Sequence, residues 1–308
     1  MAAPTNTFLT TAAIGNREDL TDMIYRITPT FTPLLNLAAK TKATNSIHEW
    51  QTQDLAVAAD NAQHEGDDAV AKVVTPTVRL SNRTQISSKT VIVSGTQQSQ
   101  MNPAGRKNEM GYQMAMASFE LKRDMEFGLT QNNVASTSPR RSRGLVGWIV
   151  DNVDTGAGYV AASYTGNTAQ TDGTLAAFTE ARFKNVLQKI YTAGGSADTV
   201  MLGPAAKQTF SAFLGNSTRF DKGEDQKLYA SVEIYVGDFD TVTAVPNRFQ
   251  RSRDVFILQS DKVAVAYGRP FEQIDLARTG DADKKEIIVE YTLEVRAPKA
   301  HGAVYDIL

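Results

Sequence analysis

The chain has no cysteine among its 308 residues. Disulfide bonds, thiolate metal ligands and a thiol nucleophile are therefore excluded, as suits a reducing cytosol or a particle assembled there. Histidine is nearly as scarce. His48, His64 and His301 are the whole supply, so a zinc site would need all three or several carboxylates, and a nucleophile triad has few candidate bases. Charge of one sign is also lacking: 32 Lys and Arg face 34 Asp and Glu, a net charge of -2, without the basic excess of a dedicated nucleic-acid binder. No apolar run approaches the roughly 18 residues of a membrane span. The first ten residues lack a basic region followed by an apolar stretch, so no signal peptide is expected. No fixed-period repeat is present. The remaining composition, 42% apolar and 21% charged, is that of an ordinary folded protein with a real core.

Signatures of chemistry are missing too. No glycine run ends in Gly-Lys-Ser/Thr, and no glycine fingerprint follows a strand and opens a helix. His48-Glu49 begins like a zinc-protease motif, but Thr52 stands where the second histidine belongs. No Gly-x-Ser-x-Gly elbow occurs. The stretch from Asp151 to Gly156 faintly matches a calcium loop. Val153 occupies a ligand position, however, and Ala162 stands at the closing place, so it reads as a turn. Asp281, Asp283, Lys284 and Lys285 read as a solvated link. No local spacing suggests paired carboxylates. No catalytic, cofactor-binding or metal-binding residue is expected.

The elements that are present define an α+β chain. Residues 16–27 carry Leu20, Met23, Ile24 and Ile27 at helical spacing, and residues 34–40 read as another short helical piece. Residues 46–56, 75–80 and 84–93 read as strands flanking a polar tip at 60–68, together a long hairpin of roughly 45 residues with little apolar content of its own. Such a hairpin is marginal in isolation and must lie either on its own domain or on a neighbouring subunit. Asn102-Pro103 pairs a cap with a first-turn proline and predicts a helix to about Gln131, on the order of 42 Å long. Its stripe is Met110, Met114, Ala117, Leu121, Met125 and Gly128, widened by Tyr112, Met116, Phe119 and Phe127, with Lys122 and Glu126 paired on the opposite side. Residues 132–174 are loop-rich. Phe178-Thr179 opens a helix that Gly194-Gly195 stops. A buried strand at 199–202 and a helix from Gly203-Pro204 follow. The remainder reads as strands at 232–236, 241–245, 255–258, 263–267, 286–295 and 303–308, with 272–285 as a polar link.

Several stretches, in this order, carry a family resemblance. They are Gly15-Asn16-Arg17-Glu18-Asp19-Leu20, Thr28-Pro29 through Thr32-Pro33-Leu34, Lys40-Thr41-Lys42-Ala43-Thr44-Asn45 and His48-Glu49-Trp50-Gln51-Thr52. Arg143-Gly144-Leu145 with Trp148-Ile149, Gly203-Pro204, Val245-Pro246-Asn247-Arg248 and Glu290-Tyr291-Thr292-Leu293-Glu294 follow. Together with the sequence of arm, hairpin, long helix, mixed domain and closing strand, they resemble the tailed-bacteriophage major capsid protein. The fold implied is the Hong Kong ninety-seven capsid fold, and the branch is the SU-ten-like one.

That resemblance implies an N-terminal arm (1–45), an extended loop (46–98), a peripheral domain (99–164 with 273–308) and an axial domain (165–272). It implies many copies of the chain in pentamers and hexamers of an icosahedral or prolate head in the virion, assembled in the bacterial cytoplasm around double-stranded DNA held without sequence specificity. A separate scaffolding protein, a portal and a decoration protein are the expected partners. The shell of a cellular nanocompartment is the alternative. No covalent crosslink through Lys72 is expected. The Gly- and Ser-rich stretch 136–173 is the candidate hinge between capsomer types. Arg140, Arg141 and Arg143, the one basic cluster, read as a contact with an acidic patch on a neighbour in preference to DNA. With His48 and Trp50 they make the candidate inter-subunit contacts.

Overall fold

The computed structural model describes residues 31–66, 68, 71, 73–99, 108–213 and 234–308. The helix expected over 16–27, the expected helix start at Asn102-Pro103 and Lys72 lie outside the described residues.

In chain order, a short helix α1 (Pro33–Leu37) leads into β1 (Ala39–Lys42). The strands β2 (Ile47–Thr52), β3 (Val78–Arg83) and β4 (Gln85–Ser94) follow. Then come a one-turn helix α2 (Gly95–Ser99), the long helix α3 (Glu109–Thr130), and the short strands β5 (Ser136–Thr137), β6 (Arg140–Arg141) and β7 (Asn152–Asp154). The middle of the chain supplies α4 (Glu180–Thr192), β8 (Thr199–Leu202), α5 (Pro204–Ser211), β9 (Ile234–Val236), β10 (Thr241–Pro246) and β11 (Val255–Leu258). A long antiparallel pair, β12 (Val263–Leu276) and β13 (Ala282–Val295), and a last strand β14 (Gly302–Val304) complete it.

Two sheets organise these elements. A four-stranded sheet runs β1-β12-β13-β4 and a six-stranded sheet runs β7-β14-β11-β8-β10-β9. The central strands β8, β11 and β14 of the six-stranded sheet are buried on both faces, and their period-two alternation divides the apolar residues between two cores. Met201, Phe256, Leu258 and Ala303 join Met114, Leu121, Met125, Trp148, Val289, Tyr291 and Leu293 under α3. Val200, Leu202, Val255, Ile257 and Val304 join Phe183, Ile190 and Phe210 under α4 and α5. Each such side chain contributes roughly 1.5–3 kcal/mol on full burial.

Four expectations are corrected. α3 begins at Glu109, capped by the side chain of Asn108 accepting from Gly111 N. It is thus 22 residues long, about 33 Å. The helical piece expected over 34–40 ends at Leu37, and residues 39 and 40 belong instead to β1, which pairs parallel to 264–267. The return strand of the hairpin is β3, paired with β2 from Ile47↔Arg83 to Thr52↔Val78. β4 leaves the hairpin altogether and pairs antiparallel to β13. The supposed polar link at 272–285 is mostly strand, because β12 and β13 continue their pairing to Leu276↔Lys284. Elsewhere periodicity was a good guide. Thr179 caps α4, whose Phe183, Val186, Leu187 and Ile190 are buried, Pro204 starts α5, and Ile287, Val289, Tyr291, Leu293 and Val295 of β13 all face the core.

The divisions expected at 164/165 and 272/273 do not coincide with the sheets. The second falls inside β12, while β7 and β14 belong to the six-stranded sheet.

Candidate assembly surfaces

The hairpin β2–β3 is pinned at its base and bare at its tip. At the base, Trp50 donates Nε1 to the Val295 carbonyl at 2.9 Å and packs its ring 5.2 Å from that of Trp148. His48 Nε2 lies 2.9 Å from Glu294 Oε2, and Thr41 and Arg296 also donate to that carboxylate. Burial alone would raise the Glu294 carboxyl. The hydrogen bonds from Arg296, His48 and Thr41 outweigh it and hold the group below the ordinary carboxylate range. On β3, buried Asn82 donates Nδ2 to the Leu293 carbonyl at 2.7 Å and accepts from Arg143 N at 2.9 Å. The hairpin therefore rests on its own β13 at one end.

The tip has no such support. Leu55, Val57, Val73 and Val74 are between 82% and 95% exposed. Scattered apolar surface is ordinary, but four almost fully exposed aliphatic side chains within the one segment that joins β2 to β3 are not.

The expected contact residues divide unevenly. Arg143 is buried, donates to the Ser163 and Tyr164 carbonyls and to Asn167 Oδ1, and lies 5.7 Å from the Trp148 ring. Burial lowers its pKa. It ties the 163–167 loop to the core and is not displayed to a neighbour. Arg140 pairs with Glu290 at 2.8 Å, a carboxylate that also receives Thr84 and Arg269. Arg141 alone of the three is exposed. The structure thus places His48, Trp50, Arg140 and Arg143 in contacts within the chain.

Sequence reasoning missed the central junction. Glu126, expected on the outer side of α3 with Lys122, is fully buried. Its Oε1 accepts from Leu34 N at 2.8 Å and Asn247 Nδ2 at 2.7 Å, and its Oε2 accepts from Leu35 N at 3.0 Å. One carboxylate thereby joins the arm, the long helix and the loop after β10. Burial raises its pKa against the pull of those hydrogen bonds. The only signal was Asn247 within Val-Pro-Asn-Arg.

Among the described residues no group of three or more His, Asp or Glu is placed to hold a metal, and no helix is long and apolar enough to cross a membrane. The supposed turn at Asp151–Gly156 contains β7, and its Asp154 pairs with Arg182 of α4.

A long helix over a sheet, a second mixed core and a pinned, projecting hairpin define the capsid class of shell-forming proteins. The comparisons agree. The chain belongs to the SU10 major capsid protein family, whose model matches residues 3–308, and is thereby a phage major capsid protein, a component of the virion. It is 27% identical, over 353 aligned positions covering 99% of this chain and 98% of the relative, to the major capsid protein of Escherichia phage Phieco32. A capsid chain of cyanophage A-1(L) has the same fold, with a TM-score of 0.66 at 14% identity over 97% of this chain and 98% of that one. An encapsulin of Synechococcus elongatus has it too, with a TM-score of 0.58 at 12% identity over 95% and 92%.

The Trp50 anchor gives a first prediction. Trp50→Ala should cost about 1–3 kcal/mol and deprotect the amides of β2 and β3 in hydrogen exchange while leaving β12 and β13 protected. Uniform deprotection of both sheets would show that the hairpin is not a separate unit.

Proposed function

We propose that many copies of this chain form the pentamers and hexamers of a closed phage head around double-stranded DNA, and that the bare hairpin tip is laid over a neighbouring subunit. The exposure of Leu55, Val57, Val73 and Val74 carries the reading. An extended segment covers much area without a domain behind it, and a shell needs many modest contacts of that kind. Arg141 is the one member of the basic cluster proposed to meet a neighbour's acidic patch. DNA is held on the inner face without sequence specificity, in keeping with the balanced charge.

Residues 99–164 with 273–308 are read as the peripheral domain, and residues 165–272 as the axial domain, gathered at the capsomer centre. A separate scaffolding protein, a portal and a decoration protein are the proposed partners, assembly takes place in the bacterial cytoplasm, and the chain has no catalytic role. The nanocompartment reading is supported only by shared fold, whereas the family match is to a phage protein.

Electron microscopy of the purified chain, expressed with its neighbouring gene products, tests this. Uniform shells or capsomer rings with nucleic acid are expected, and enzyme cargo would favour the nanocompartment. Val57→Asp with Val74→Asp should leave the subunit folded by circular dichroism and abolish shells. Normal shells from that variant would remove the tip from the interface.

A further inference from the structure

Of the 21 glycines in the chain only Gly173 follows an aspartate, and none follows an asparagine. An Asp-Gly pair is chemically labile. The glycine nitrogen can attack the aspartate side-chain carbon and close a succinimide with loss of one water, because no Cβ hinders its approach. Water then opens the ring at the main-chain carbonyl, and the chain continues through the side-chain carbon as isoaspartate. Mass is unchanged and no further reactant is needed. The fold cannot replace this glycine. A Cβ at position 173 would lie 2.8 Å from Asp306 Oδ2 and from the Gly156 carbonyl oxygen, and 2.9 Å from that of Ala157.

Both groups of the ring closure are engaged elsewhere. Asp172 Oδ2 accepts from Arg251 Nη2 and lies 3.3 Å from Arg253 Nη1, while its Oδ1 accepts from Gln170 Nε2 at 3.1 Å. Gly173 N donates to Asp306 Oδ1 at 3.0 Å, and its carbonyl accepts from Arg253 Nη2 at 2.7 Å. Asp306 is fully buried and also accepts from Arg253 and from Gly156 N. Its charge is thus already matched, and it is poorly placed to draw the proton from Gly173 N. Burial alone would raise the Asp172 carboxyl. The hydrogen bonds from Arg251 and Gln170 and the charges of both arginines outweigh it and hold the group below its ordinary range. That favours the carboxylate, the form that gives up an oxygen least readily.

We propose that Asp172-Gly173 is a latent isoaspartate site, which Arg251, Arg253 and Asp306 hold closed and which reacts only in subunits where this cluster has opened. Ring closure requires the Asp172 carboxyl to leave both arginines and the Gly173 N–H to leave Asp306. Once isoaspartate has formed, the main chain is one carbon longer at this point. The carboxylate then sits directly on the α-carbon and no longer reaches Arg251 as the side chain did. A transient opening of the cluster is thereby made permanent. The inference stands apart from the shell reading, because it concerns contacts inside one subunit.

Folded full-length chain, and the same chain unfolded in guanidinium chloride, are incubated side by side. Isoaspartate at position 172 is then read by isoaspartyl methyltransferase labelling and mass spectrometry of the peptide that contains it. The folded chain is expected to react several-fold more slowly than the unfolded one. Arg251→Gln and Arg253→Gln, each checked for folding by near-ultraviolet circular dichroism, should react several-fold faster than folded wild type. Asp172→Glu, whose longer side chain does not close this ring, should give no isoaspartate there. Wild type alone provides the second measurement, should the arginine variants fail to fold. Its reaction rate should rise in step with hydrogen exchange of the Gly173 amide as denaturant is raised below the unfolding midpoint. Equal rates in folded and unfolded wild type would overturn the proposal. So would folded arginine variants that react no faster, or a rate that does not follow the Gly173 amide. A faster reaction in the folded chain would overturn it as well, since Asp306 would then be drawing the Gly173 proton and promoting closure.

Discussion

Glu126→Ala is expected to unfold the subunit more easily by about 3–5 kcal/mol, read as a lowered urea midpoint in unassembled chains. Its carboxylate is fully buried, and three donors converge on it: the backbone N–H groups of Leu34 and Leu35 and the amide of Asn247. Removing it leaves the Leu34 and Leu35 N–H groups without their acceptor and Asn247 with only the weak Met201 sulfur at 3.1 Å, and each buried orphan donor costs roughly 1–3 kcal/mol. Glu126→Gln separates hydrogen bonding from charge. The amide oxygen still accepts from Leu34 and Asn247, while the amide nitrogen is set against Leu35 N, itself a donor. The cost should then be that of one lost bond, about 1–2 kcal/mol. Hydrogen exchange should show α1 released in Glu126→Ala and largely retained in Glu126→Gln. Equal losses in the two variants would mean that charge matters more than donor pairing, with Asn247 the next group to vary.

Glu126 also shows where legibility ended. Helical spacing placed Met110, Met114, Leu121 and Met125 correctly on the core face because apolar burial repeats every three to four residues. The same spacing put Glu126 outside, because a carboxylate is normally solvated and its three donors come from Leu34, Leu35 and Asn247, far away in the chain. β13 was legible from its alternation, and α4 from its cap, stripe and terminal glycines. β4 was read as a strand but given the wrong partner, since alternation reports which face is buried and not which strand lies alongside. The start of α3 was misplaced because the strong Asn102-Pro103 signal drew the helix too early, whereas Asn108 is the residue whose side chain accepts from Gly111 N. At the assembly surface, the bareness of the hairpin was legible in its thin apolar content. That His48, Trp50, Arg140 and Arg143 serve their own chain was not, because buried and displayed polar residues look alike in sequence.

Asp254→Asn should stabilise the subunit in a pH-dependent way, with little effect near pH 4 and a gain on the order of 2–4 kcal/mol above about pH 7. Asp254 is fully buried, and neither of its carboxylate oxygens has a hydrogen-bond partner. Arg251 Nη1 lies 3.5 Å away, yet Arg251 is engaged by Asp172 and Arg253 by Asp306. Three carboxylates thus share two guanidiniums, and the one left without a donor is pushed by burial up to about 7. Below about pH 4 the folded and unfolded chains both hold this proton, and no penalty arises. As pH rises, the unfolded chain releases it first, so folding must retain a proton against a growing gradient until the folded group ionises. A neutral amide removes that penalty, which is why the gain should grow with pH and then level off. Thermal melts of wild type and variant across this range read it directly. A loss of stability independent of pH would show instead that Asp254 is ionised and held by Arg251. The position of the cluster gives the result wider meaning. Asp172 lies in the stretch expected as the hinge, and Asp306 accepts from Gly156 within that stretch and from Gly173 at its end. A clasp that tightens on protonation would stiffen that joint in acid. Shells of the variant, if the stretch is the hinge, should therefore lose any acid sensitivity of their shape.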